Sequence, residues 1–282
     1  MPSAAADIFR QAAELNSHDE RRRGNVIELE AGCDVIVTGD MHGNRKALGK
    51  VISYFNRPSS LPRRLILQEI IHGPLDQASG HDRSVELLLR SARLKMDRPK
   101  EVIFLMGNHD LAQVSGAEIA KEGRHSCRAF AEGVRFAFAD EAEEVLAAIC
   151  DFLRSLPLAV RCPNGVMITH SLPSPGRMKA AGLDILNRPY RNEDFLGGGA
   201  LYEWTWGRAH SDEQIDSLAA ELGATMFILG HRHTRSGCEV IARRAVTLAS
   251  DHAHGCLIQF VSDQPLDAQT AMMSATPLAG IE

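Results

Sequence analysis

The polar residues able to do chemistry in this chain fall almost without exception directly after short apolar runs. Asp40 and His42 lie in Gly39-Asp40-Met41-His42-Gly43-Asn44, one residue apart between glycines. Glu69 closes Leu65-Ile66-Leu67-Gln68, and Asn108, His109 and Asp110 follow Ile103-Phe104-Leu105-Met106-Gly107. His170 follows Met167-Ile168-Thr169, and His231 and His233 follow Phe227-Ile228-Leu229-Gly230. One histidine beside a strand is ordinarily structural, but five segments that each end on Asp, Glu, Asn or His make a pattern. Imidazole and carboxylate together suit first-row divalent ions, and so many donors exceed the four that one tetrahedral zinc takes. The expectation is two divalent metal ions, Mn, Fe or Zn. A pair of such ions acidifies the water between them, which is the chemistry of hydrolysis near neutral pH.

Those apolar runs have to be strands. Asp34-Val35-Ile36-Val37-Thr38-Gly39 is β-branched and bounded by glycine, as a buried strand should be, and similar runs recur at residues 64–71 and 102–105. Helices are expected between them, at 45–55, at 83–94 and in stretches between 111 and 156. Strands alternating with helices imply an α/β layered fold, in which the loops at strand ends open onto the site. Further short strands are expected at 158–161, 166–169, 225–229, 238–242, 245–249 and 256–261, with a helix at 212–222. Strands this close together without helices suggest antiparallel meander pairing in this half. Residues 3–22 read as a helix whose end, Arg21-Arg22-Arg23, is solvated and suits the helix dipole. The expected organisation is a helical extension over 1–30, a main domain over 31–262 and a loose tail over 263–282.

The chain has 282 residues, 44% hydrophobic and 24% charged, with 31 basic against 36 acidic side chains. That composition belongs to a soluble globular protein, and its mildly acidic, interspersed charge excludes indiscriminate binding to nucleic acid or anionic lipid. No apolar stretch approaches the roughly 18 residues that span a bilayer. Met1 to Leu15 carries Asp7 and Glu14 and no basic flank before an apolar core, so it does not read as a secretory signal and the expected location is cytoplasmic. The six cysteines are scattered without a Cys-x-x-Cys pair, which suggests free, mostly buried thiols.

Gly39-Asp40-Met41-His42-Gly43, Gly107-Asn108-His109-Asp110, His170 and Gly230-His231-Arg232-His233 resemble, in order, the signature blocks of calcineurin-like metallophosphoesterases. The resemblance spans residues 34 to about 260 and looks closest to the serine/threonine phosphoprotein phosphatase branch and its relative, the symmetrical diadenosine tetraphosphate hydrolase. It implies a layered α-β-β-α sandwich with mixed sheets and a two-metal centre at one edge. Carried over by position, Asp40, His42 and His233 would hold the first metal and Asn108, His170 and His231 the second. Glu69 stands where the family has a bridging Asp. His109 would be the general acid that protonates the leaving oxygen, with Asp110 of the same block a second catalytic residue. The activity implied is hydrolysis of phosphomonoesters or phosphoanhydrides by a metal-bridging hydroxide, with a phosphorylated protein or small phosphorylated molecule as substrate.

The second signature block departs from the family. Where relatives read Gly-Asp-x-x-Asp-Arg-Gly, this chain has Gln68-Glu69-Ile70-Ile71-His72-Gly73-Pro74. Glu carries an extra methylene, so the strand end must retract or the metal spacing change. His72 replaces the Asp that orients the catalytic histidine, and a second imidazole supports the charge on His109 less well than a carboxylate. Gly73 takes the place of an Arg that grips phosphate. A competing alignment puts the missing pair at Asp82-Arg83, although Asp82 also reads as the cap of the helix that follows. These departures keep a second function class open, a scaffold that retains the fold with altered catalysis.

Residues 172–210 should form the cap facing substrate. Arg177 and Arg208, the latter in Trp204-Thr205-Trp206-Gly207-Arg208, are the candidates for gripping phosphate, because guanidinium binds it bidentately. His72 completes the substrate side. His252 and His254 also follow a strand and read either as part of the site wall or as a polar turn.

Overall fold

Runs such as Val35-Ile36-Val37 and Leu65-Ile66-Leu67 are buried at every position, as in strands covered on both faces. The computed structural model describes residues 3–121, 124–174 and 182–282. In chain order the strands are β1 (Arg22–Arg23), β2 (Val26–Glu28), β3 (Asp34–Asp40), β4 (Arg63–Gln68), β5 (Val102–Leu105), β6 (Ala120–Lys121) and β7 (Arg124–His125). They continue with β8 (Ala159–Arg161), β9 (Val166–Thr169), β10 (Met226–Leu229), β11 (Cys238–Ala242), β12 (Ala245–Leu248), β13 (Cys256–Val261) and β14 (Thr276–Pro277). The helices are α1 (Ala4–Ser17), α2 (Arg45–Phe55), α3 (Ser84–Asp97), α4 (Asn108–Ser115), α5 (Ser126–Phe138), α6 (Ala142–Arg154), α7 (Ala200–Trp206), α8 (Asp212–Leu222) and α9 (Ala268–Met273).

Among the described residues the strands form a seven-stranded sheet, ordered β1-β2-β8-β9-β10-β12-β11, a five-stranded sheet, ordered β14-β13-β3-β4-β5, and the small β6-β7 ribbon. Alternate residues of each strand face opposite layers. Val35, Val37, Ile66, Ile103, Ile168, Ile228 and Val246 share one apolar cluster. Ile36, Leu65, Phe104 and Met167 instead share a cluster with helical residues such as Phe9, Val51, Leu88 and Phe152. The result is the layered α/β sandwich with two mixed sheets that the sequence implied.

Strands β3, β4 and β5 run parallel, and so do β9, β10 and β12. Each sheet therefore sends three strand ends toward the same edge. The expected antiparallel meander is corrected here. The antiparallel pairing holds for β8 with β9 and for β11 with β12, but β10 runs parallel to both of its neighbours and β13 crosses to the other sheet and pairs antiparallel with β3. The tail is not loose either: β14 pairs with β13, and Leu278 and Ile281 are buried. The helix at the start of the chain ends at Ser17, and the arginines beyond it are not simply solvated. Arg22 donates to the carbonyls of Asn16, Gly24 and Ser155, and Arg21 chelates Asp19 at 2.9 and 2.7 Å. Lys95 of α3 is buried with its ammonium on the carbonyl oxygens of Pro99 and Val102, and burial pulls its pKa down to about 8. All six cysteines are free thiols, and four of them, Cys33, Cys162, Cys238 and Cys256, are buried.

Candidate metal centre

The two sheets meet where β3 passes β12. A Cβ on Gly39 would stand 1.9 Å from the carbonyl oxygen of Leu248, so only glycine permits the approach. Asp40 then bridges to Ala249, and its carbonyl accepts the Ser250 N–H. The loops after β3, β4, β5, β9, β10 and β12 consequently open on one edge.

Leaving a strand and turning a ligand inward within one or two residues demands unusual backbone. Five non-glycine residues have positive φ among those described, and four of them are His42 (37°), Glu69 (39°), His72 (61°) and His231 (64°). Each such conformation costs on the order of 1–3 kcal/mol, and concentration of that strain at one place is typical of a functional site. The left-handed turn at Glu69 also accommodates its extra methylene. β4 ends at Gln68, and the Glu69 side chain lies over Gly107, where a Cβ would come within 2.3 Å of its Cγ and Oε1. Glu69 Oε1 accepts the His109 backbone N–H at 2.7 Å.

Donor atoms gather around Glu69 in two groups, one with His42 and His109 and the other with Asp40 and His170, with each group's ligand atoms within 4.8 Å. Its two oxygens face different histidines: Oε2 lies 3.5 Å from His42 Nε2, and Oε1 lies 3.4 Å from His170 Nε2. Asp40 stands 3.9 Å from His42 Nε2 and 3.6 Å from His170 Nδ1, and its Oδ1 accepts the His231 N–H. Asn108 Oδ1 lies between His170 Nε2, at 2.9 Å, and His231 Nδ1, at 2.7 Å.

Partners outside this ring set the protonation of the imidazoles. His42 Nδ1–H donates to the Ile71 carbonyl, which turns Nε2 toward Glu69 and Asp40. His170 Nδ1–H faces Gln68 Oε1 at 3.2 Å, held by Gln68 Nε2 on the Thr38 carbonyl. The lone pair of His170 Nε2 then points at the oxygen of Asn108, an arrangement that a cation between them relieves. Burial is the first cause that pulls His170 down to about 3 and His231 down to about 2, with neighbouring histidine and arginine charge adding to it. Both rings are neutral at ordinary pH, as ligands must be. The donor set thus fits divalent transition ions.

His109 faces His72, Nδ1 to Nδ1 at 2.8 Å, while His72 Nε2 meets Gln113 Oε1 at 3.0 Å. The Gln113 oxygen only accepts, so the His72 proton sits on Nε2 and its bare Nδ1 receives the N–H of His109. Asp110 does not enter this pair: its Oδ2 accepts the Gly107 N–H at the start of α4, and burial raises its pKa to about 7. Asp82 Oδ1 accepts the Ser84 N–H at the start of α3, and Arg83 pairs with Glu86.

Arg208 reaches the site because Gly207 packs on Leu172, where a Cβ would come within 1.8 Å of the carbonyl, and Ser171 Oγ donates to the Gly207 carbonyl. Its Nε donates to His231 Nε2 at 2.9 Å. The Trp206 ring stands edge-on to His231 at 6.1 Å and stacks on Tyr202. Arg177 lies outside the described residues. His233 is exposed and sits in a different group, with Asp251 and His252. Two positioning residues escaped the sequence reading, Gln68 and Gln113. The available signals were a polar residue ending an all-apolar strand and a spacing of four along α4 from His109.

The sequence profile described as calcineurin-like phosphoesterase matches residues 34–235. No curated protein matches the chain. A protein serine/threonine phosphatase from Saccharomyces cerevisiae with similarity to human phosphatase PP5 shares the fold, with a TM-score of 0.65 and 17% identity over 91% of this chain and 82% of its own. The cold-active protein-tyrosine phosphatase of a psychrophilic Shewanella species does so with a TM-score of 0.60 and 15% identity, over 94% of this chain and 84% of its own.

Proposed function

We propose, from the premise that this chain belongs to the calcineurin-like phosphoesterase family, that it hydrolyses phosphomonoesters or phosphoanhydrides by general-acid catalysis at a two-metal centre. The observation that carries the reading is that Glu69 belongs to two groups of donor atoms and turns a separate oxygen toward each. Asp40, His42 and Glu69 would hold one ion, and Glu69, Asn108, His170 and His231 the other, with Mn, Fe or Zn each compatible with nitrogen and oxygen donors. When bound, such ions supply Lewis acidity and an acidified water.

The chain's own groups do the rest. His109, oriented by His72, gives the proton from Nε2 to the departing oxygen. Arg208 is exposed beside His231, and its terminal nitrogens suit two oxygens of a phosphoryl group. Asp110 fixes the turn that presents Asn108 and His109. The substrate is a phosphorylated protein or a small phosphorylated molecule. Among the described residues no helix is long and apolar enough to cross a membrane, and the free thiols favour a cytoplasmic setting. The test is metal analysis of the reconstituted protein combined with turnover of an aryl phosphate and of a dinucleoside polyphosphate under added Mn²⁺. Two bound ions with turnover of either substrate are expected. Two bound ions without turnover would favour the scaffold reading, for which the imidazole at His72 is the motive.

A further inference from the structure

We propose that Tyr202 and Trp206 form a stacking platform that selects substrates whose leaving group carries a planar aromatic ring, a nucleobase or a phenol. The proposal rests on the phosphoesterase reading above and adds the substrate class to it. Spacing on α7 creates the platform. Tyr202 and Trp206 stand four residues apart and share one side of the helix, whereas Leu201, Trp204 and Thr205 are buried on the other. The two tryptophans therefore differ in kind. Trp204 is a core residue with 0% exposure whose Nε1–H donates to the Gly182 carbonyl, while Trp206 is only half-buried.

The rings of Tyr202 and Trp206 lie 5.5 Å apart at 22°, an offset stack of the kind that aromatic quadrupoles favour. Tyr202 nevertheless stays 39% exposed, so the stack presents aromatic surface to solvent. Its position points to the ligand. Trp206 is edge-on to His231 with the ring centroids 6.1 Å apart, and Arg208, two residues further on, donates from Nε to the same histidine. The guanidinium proposed to grip the phosphoryl group and the aromatic pair are thus both tied to one histidine of the centre. The part of a substrate that lies just beyond its phosphoryl group comes within reach of the rings. A planar ring covers such a surface with little loss of freedom, and stacking accepts any ring because it reads a π-face and no hydrogen-bond pattern. A serine side chain or a bare sugar offers no such face.

The test uses the full chain loaded with Mn²⁺ and two substrate pairs. Adenosine 5′-monophosphate and ribose 5-phosphate expel the same kind of alkoxide, so their difference reports the base. Phosphotyrosine and phosphoserine form the second pair, for which only the change caused by substitution is read. In Tyr202→Ala the preference for the ring-bearing member of at least one pair, as a ratio of kcat/KM values, should fall about fivefold or more. The loss should lie mainly in KM, and Tyr202→Phe should restore it. The pair that responds identifies the source of the ring. Ratios that stay unchanged in both pairs would overturn the proposal, whether or not activity as a whole declines, because Tyr202 would then serve only the packing of α7. Absence of turnover with all four compounds would count against the phosphoesterase reading alone, and fluorescence then decides on the platform. A ring-bearing compound, and not its ringless partner, should quench emission in wild type, and the effect should vanish in Trp206→Phe, which keeps Trp204. No quenching by either ring-bearing compound, or quenching that survives in Trp206→Phe, would overturn the platform.

Discussion

His72 Nδ1 and His109 Nδ1 face each other across 2.8 Å, so a neutral ring rather than a carboxylate receives the proton of the proposed acid. Substituting a carboxylate would stabilise the imidazolium. His72→Asp is therefore expected to move the alkaline limb of the kcat/KM profile up by about 1–3 pH units. A limb that stays in place or moves down would remove His72 from the pair.

His109→Asn should leave ion content nearly unchanged and slow alkyl phosphates about 10²–10⁴-fold. Aryl phosphates, whose leaving groups need little protonation, should suffer much less. Equal losses on both substrates would assign His109 to the ions instead, beside His42 and Glu69.

Glu69→Gln is expected to abolish turnover and lower ion occupancy, because two cations would then face each other without a shared anion. Asp82→Ala should keep both ions and lose only about 0.5–2 kcal/mol of stability with the contact to Ser84 N–H. Loss of an ion from Asp82→Ala with full activity in Glu69→Gln would reverse the alignment of the second signature block.

Gly107→Ala places a methyl where the Glu69 side chain lies. The expected result is a protein destabilised by about 1–3 kcal/mol whose ion affinity falls more than that of Gly116→Ala at the other end of α4. Calorimetric titration of the purified variant decides; unchanged affinity would mean that Glu69 does not need this space.

Lys95 gives a prediction in pH. Its folded pKa of about 8 lies below the ordinary 10.5, so between these values the unfolded chain holds a proton that the folded one has released, and stability rises with pH. Relative to Lys95→Met, wild type should gain about 3 kcal/mol across that window. Urea midpoints for the two proteins at pH 7.5 and pH 10.5, taken as about the edges of the window, would expose the error if their difference did not grow.

The strand-end residues were legible because apolar runs ending in Asp, Asn or His follow from local pattern alone. Gln68 and Gln113 were not, since each acts through a histidine supplied by a distant segment, His170 for one and His72 for the other. The grouping of His233 with Asp251 and His252 was hidden for a different reason. Local spacing suggested sequential antiparallel pairing, whereas β12 inserts between β10 and β11, and that order depends on packing against both sheets. The accommodation of Glu69 likewise needed Gly107, whose closeness to it across 38 positions no motif announces.

The hydrogen bond from His231 to Asp40 joins positions 191 residues apart. During synthesis the carboxylate emerges long before the backbone group that orients it, so a nascent chain carries only fragments of the centre. Asp40, His42, Glu69, Asn108 and His170 are all made before residue 225, but without β10 and β12 the donors of the two sheets are not yet held together. Loading is thereby deferred until β10 and β12 have joined their sheet, and a ribosome-bound chain truncated before residue 225 should remain free of metal.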